Sequence, residues 1–132
     1  MKLLVTGGCG FIGSALVLHL VRDLGWRVTN VDKLTYAANR ASLAEIEDDP
    51  RYRFVEADIC DRAAMDGAFA DARPDVVMHL AEESHVDRSI TGSAAFIATN
   101  VNGTHTLLEA ARGYWSELSG EAGKAFRFLH VS

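Results

Sequence analysis

Short apolar runs alternate along this chain with stretches whose apolar positions recur at helical spacing. Lys2–Val5, Val28–Val31, Tyr52–Val55, Val76–His79 and Phe126–Val131 are the short runs, and they read as buried strands. Between the first two, Ile12, Leu16, Leu20 and Leu24, with Val17 and Val21 beside them, predict a helix over 11–24 that stops at Gly25. The segment 34–47 predicts a loop and a short helix, punctuated by Pro50. A helix is expected over 61–69 with Asp61 as its N-cap, and a long one over 94–114. The result is β-α-β-α-β-α-β-α-β. Strands apolar throughout, each followed by a helix, mean a parallel sheet covered on both faces. Right-handed crossovers make 3-2-1-4-5 the expected order, and ligand should lie at the carboxyl ends of the strands, near the switch between strands 1 and 4.

Composition narrows the partners. The 132 residues suit one domain and carry a net charge of −5. That balance argues against nucleic acid and anionic membranes, whose phosphates are met by clustered Lys and Arg. The apolar start breaks at Gly7, too early for a signal peptide, and no run approaches a membrane span. A cytoplasmic location is the expectation. Cys9 and Cys60 form no C-x-x-C pair, so a metal or redox site is not expected and both read as reduced packing thiols.

The candidate chemistry begins where the first strand ends. Thr6-Gly7-Gly8-Cys9-Gly10-Phe11-Ile12-Gly13 lies between a strand and a helix. There Gly7 can take a tight turn, Gly10 can let a pyrophosphate approach the backbone, and Gly13 can let the helix pack closely. The helix start offers free N–H groups and partial positive charge to phosphates. Asp32 ends the second strand about 20 residues further on, where a carboxylate can accept from adenosine ribose hydroxyls and repel a 2′-phosphate. NAD is therefore favoured over NADP, although Lys33 follows directly. Asp58 and Ile59 follow the third strand, where they could meet an adenine amino group and flank its ring. Leu80 and Ala81 follow the fourth strand, and their small size leaves room for the middle of a dinucleotide. These features define a Rossmann-like, doubly wound α/β domain over 1–132.

A dense polar run, His79-Leu80-Ala81-Glu82-Glu83-Ser84-His85-Val86-Asp87-Arg88-Ser89, follows the fourth strand at the same face. Ser84 could bind a sugar hydroxyl and Arg88 a phosphate or carboxylate. Each type is also common as a structural partner.

These segments resemble the extended short-chain dehydrogenase/reductases that modify nucleotide sugars, above all the dTDP-glucose 4,6-dehydratases. The resemblance is carried by Thr6–Gly13, Asp32–Ala37, Ala57–Asp61, His79–Ile90 and Asn100–Thr104, and covers the whole chain. It implies that Phe11, Ile12, Asp32, Lys33, Leu34, Thr35, Asp58, Ile59, Leu80, Ala81, Glu82, Glu83, Ser84 and Thr99 line an NAD site, with Ser84 also against the substrate. Glu82, Ala38 and Ala57 depart from the family's usual Ala, Gly and Gly. The implied chemistry is oxidation at glucose C4, loss of water across C5 and C6, and return of hydride to C6. In the family it depends on a Tyr-x-x-x-Lys pair and a Thr-Asp-Glu run. No Tyr-x-x-x-Lys occurs here, and the chain stops at Ser132, where the family's Thr-Asp-Glu run would follow. The expectation is a partial domain, inactive alone, whose parent is a homodimer, and whose apolar last strand invites self-association. Another nucleotide-sugar epimerase or dehydratase, or a non-catalytic dinucleotide-binding module, are the alternatives.

Overall fold

The computed structural model describes residues 1–34, 39–81, 94 and 97–131, without the side chains of Ala98 and Thr99. Five strands form one parallel sheet in the order β3-β2-β1-β4-β5, as the alternation predicts. They are β1 (Lys2–Thr6), β2 (Arg27–Asp32), β3 (Tyr52–Glu56), β4 (Val76–His79) and β5 (Arg127–His130). The helices are α1 (Phe11–Leu18), α2 (Arg62–Ala72), α3 (Thr104–Glu117) and α4 (Gly120–Ala125).

Successive strand residues point to opposite faces, so β1 feeds two cores. Leu4 joins Val31, Met65, Phe69, Val77 and Leu107 beneath α2 and α3. Leu3 and Val5 join Val17, Leu20, Val21, Val28 and Leu43 beneath α1. Tyr114 locks α3 down: its hydroxyl donates to the Pro74 carbonyl at 2.8 Å, and its ring lies 5.3 Å from that of Phe69. Asp61 caps α2 by accepting from the Ala64 N–H at 3.1 Å, as expected.

The boundaries differ in instructive ways. The expected helix over 11–24 is α-helical only to Leu18 and widens into a π-helical turn over His19–Asp23 before Gly25. In the described part of the long helix Ala94 and Ile97 are α-helical, a π-helical turn follows over Ala98–Gly103, and α3 then runs to Glu117. Between β2 and β3 lies a 3-10 segment, Arg40–Ile46, capped by Asn39. Helix α4 was not expected. Its sequence, GEAGKA, buries nothing and so carries no apolar period. No described helix is long and apolar enough to cross a membrane.

Candidate functional site: a glycine turn at the carboxyl edge of the sheet

The chain leaves β1 through a turn whose first four amides are consumed within the protein. Gly7 N–H donates to the Val31 carbonyl at 2.9 Å and Gly10 N–H to the Gly7 carbonyl at 3.2 Å. Gly8 N–H donates to Asn30 Oδ1 at 2.9 Å and Cys9 N–H to Asp32 Oδ2 at 3.0 Å. The first N–H groups of α1 have no intrahelical partner, and no side chain caps them. They are the donors left for an anion.

The glycines separate by what a side chain would meet. Gly7 has φ +75°, and an added Cβ would stand 2.7 Å from the Ala81 nitrogen and from the Leu80 carbonyl carbon. A Cβ on Gly8 would strike Asn30, and one on Gly13 would strike the Gly7 carbonyl oxygen. Gly10 is different. Its φ is −76°, which any residue adopts, and among the described residues its Cβ would meet only the Gly7 oxygen, at 3.4 Å. No described protein atom requires a glycine there, and a ligand pressed against the backbone would. Beside it Phe11 is 94% and Ile12 66% exposed, an apolar lip on the first turn of α1. The residues present thus fit a dinucleotide.

Asp32 is 8% exposed and fixed from two sides, since Oδ1 also accepts from the Leu34 N–H at 2.8 Å. Each carboxylate oxygen keeps a further lone pair. Leu34 adopts a left-handed conformation, φ 57°, which is uncommon for such a side chain and recurs at binding sites. Lys33 Nζ lies 3.8 Å from Asp58 Oδ2 at the rim, so the cation beside Asp32 faces a carboxylate of the same cleft. Asp58 also closes its own turn by accepting from the Cys60 N–H at 2.9 Å. Ile59 is buried in the core with Val31 and Met65, so its side chain supports the Asp58 turn from beneath. Leu80 and Ala81 follow β4 and lie against Gly7. Thr35, Glu82, Glu83 and Ser84, with Arg88, Ala38 and the side chain of Thr99, lie outside the described residues.

Two further networks hold the cleft, and neither was singled out from the sequence. Asn30 is fully buried, and its Nδ2 donates to the Tyr52 hydroxyl at 3.2 Å and towards Cys9 Sγ at 3.4 Å. Burial and the charge of Asp32 push the Cys9 thiol up to about 11, so it stays protonated and serves packing. His79, also fully buried, bridges Thr6 Oγ1 at 2.7 Å and Thr104 Oγ1 at 2.8 Å. The available signal was a polar residue beside the apolar positions of a strand, Asn30 before Val31 and His79 after Val76–Met78. Among the described residues, no group of His, Cys, Asp and Glu could hold a metal ion.

A parallel 3-2-1-4-5 sheet with a glycine turn at its switch point defines a Rossmann-like protein with a nucleotide-type cleft. Comparison with known proteins carries this further: residues 4–132 match the family model described as GDP-mannose 4,6 dehydratase, and the chain belongs to that family. It is 63% identical to the dTDP-glucose 4,6-dehydratase of Shigella flexneri and 62% to dTDP-glucose 4,6-dehydratase 1 of Escherichia coli K12, over its whole length. It spans 37% of the length of each. Among solved structures, dTDP-glucose 4,6-dehydratase of Streptomyces venezuelae with NAD bound superposes with a TM-score of 0.81 at 47% identity, over 86% of this chain and 36% of that one. The Bacillus anthracis enzyme in complex with NAD gives 0.81 at 31% identity, over 100% and 37%.

Proposed function

We propose that this chain is the NAD-binding portion of a dTDP-glucose 4,6-dehydratase, a cytoplasmic lyase that converts dTDP-glucose to dTDP-4-keto-6-deoxyglucose. The observation that carries the reading is the open face of Gly10 beside an uncapped helix start and the Asp32 carboxylate. NAD, when bound, supplies a hydride acceptor.

The chain's own residues bind and orient. The first N–H groups of α1 face the pyrophosphate, and Phe11 and Ile12 cover it from solvent. Asp32 accepts from the adenosine ribose, held in place by Cys9 and Leu34. Lys33 and Asp58 close the adenosine end, while Leu80 and Ala81 floor the middle of the cleft. By the resemblance, Thr35, Glu82, Glu83, Ser84 and Thr99 complete the NAD site, with Ser84 also against the substrate. No Tyr-x-x-x-Lys occurs in the sequence, so we assign proton transfer at the sugar to residues supplied by the further length that the relatives possess. A homodimer of the parent enzyme is supported by the outer face of α3, where Leu108 and Trp115 are exposed beside Phe126 and Phe128.

Calorimetric titration of NAD and NADP into this chain and its Asp32→Ala variant tests the cofactor assignment. The wild type should prefer NAD, and the variant should narrow that ratio. An unchanged ratio would remove Asp32 from the ribose site. Incubating the parent enzyme with dTDP-glucose tests the reaction. A 4-keto-6-deoxy product is expected; an epimerised hexose would instead point to an epimerase.

A further inference from the structure

The end of β4 is tied to the end of β1 by side chains as well as by the sheet. Thr6 and His79 are register partners across these strands, and both are fully buried. Thr6 Oγ1 makes three polar contacts. Leu80 N–H approaches it at 3.2 Å while donating also to the Thr6 carbonyl at 3.0 Å, and Ala81 N–H approaches at 3.3 Å. The third contact is His79 Nδ1, at 2.7 Å.

The proton count selects one arrangement. Backbone amides only donate, so Leu80 and Ala81 take the two lone pairs of the hydroxyl. The single hydroxyl proton then goes to His79 Nδ1, which must be unprotonated. A neutral ring bare at Nδ1 carries its proton on Nε2, and that nitrogen donates to Thr104 Oγ1 at 2.8 Å. The opposite tautomer would set three donors against one buried hydroxyl and strand its proton.

We infer that His79, as the Nε2–H tautomer between Thr6 and Thr104, is a positioning residue that fixes the β4 exit against the glycine turn and so sets the width of the cofactor cleft. The reading rests on the cofactor assignment above. Its lever is the contact at Gly7, where a Cβ would lie 2.7 Å from Ala81 N: no slack exists between the turn and Leu80–Ala81. Movement of that exit displaces the turn directly. Thr104 extends the clamp to the first residue of α3. From β5, His130 stacks on the His79 ring at 4.7 Å and Phe128 meets its edge at 6.3 Å. Among the described residues, His130 is the titratable group facing it. Burial and His130 together hold His79 neutral, down to about 4.

Nitrogen-15 NMR of the wild-type imidazoles reads the tautomer without any variant. His79 should show a protonated Nε2 and a bare Nδ1 from pH 7 to pH 5; an Nδ1–H or doubly protonated ring at pH 6 would overturn the inference. The positioning role is read from Thr6→Val and Thr6→Ser. Thr6→Val should speed amide exchange at Leu80 and Ala81 and weaken NAD on the order of tenfold, while Thr6→Ser, which keeps the hydroxyl, restores both. Unchanged exchange and affinity in Thr6→Val would refute it. If the wild type binds no NAD, the cofactor assignment fails, and the tautomer and the exchange rates still decide the clamp.

Discussion

At Gly13 an added Cβ would collide with the Gly7 carbonyl oxygen, whereas at Gly10, three residues earlier, it would meet that same oxygen at an ordinary 3.4 Å. The two glycines stand in one turn and read alike in the sequence. At one, protein atoms leave no room for a side chain; at the other, no described protein atom forbids one, as the proposed cofactor site requires. The inner half of the turn, with Gly7, Gly8 and Gly13, is clamped by Val31, Asn30 and the β4 exit. The outer half, Gly10 to Ile12, is open and apolar at its lip. The inner half makes the shape, and the outer half offers it. Substitutions on the inner side should therefore unfold the protein, and substitutions on the outer side should spare the fold and remove the ligand.

The largest effect is expected at Gly13. Gly13→Ala forces a backbone shift where helix and turn meet, and should cost about 3 kcal/mol or more, lowering the thermal midpoint by about 10 °C. A midpoint within about 2 °C of wild type would mean that the turn is looser than its geometry shows.

Acid should act on the same inner framework with comparable size. Burial, with His130 beside it, pushes the His79 ring down to about 4 in the folded chain, from an ordinary 6.5. Between these values the unfolded chain binds a proton that the folded chain refuses. His79's contribution is thus full above pH 6.5, falls as the pH drops from 6.5 to 4, and levels off below. The loss over that window is about 3 kcal/mol, and urea unfolding at stepped pH measures it. A flat profile there would contradict the buried neutral ring.

A smaller change is expected at Asn30. Asn30→Ala leaves the Gly8 N–H and the Tyr52 hydroxyl without their buried partner and should cost about 2 kcal/mol by denaturant unfolding. Because Gly8 would gain freedom, NAD affinity should fall as well. A variant as stable as wild type would show that Asn30 does not hold the turn.

The sheet was legible because each apolar run is short and each helix between them has an apolar stripe, and physics leaves few ways to bury both. The glycine turn and Asp32 were legible because their offsets follow one strand–helix–strand unit. What escaped depends on register. Thr6 and His79 are 73 positions apart, and only the β1–β4 pairing brings them together. Asn30 belongs to no motif, and only the fold brings the Gly8 amide onto its side chain. The burial of Ile59 was not legible either, because one apolar residue at a strand exit suits a core or a ligand alike. Helix α4 lacked any apolar signal.

The difference between the two halves of the turn is tested most directly at Gly10, by calorimetric titration of NAD into the wild-type chain and Gly10→Val. Because that position has ordinary backbone angles and, among the described residues, only the Gly7 oxygen in ordinary contact with an added Cβ, the variant should keep its thermal midpoint within about 2 °C while losing NAD affinity about tenfold or more. A folded Gly10→Val chain that binds NAD as tightly as wild type would contradict a dinucleotide seated on this turn.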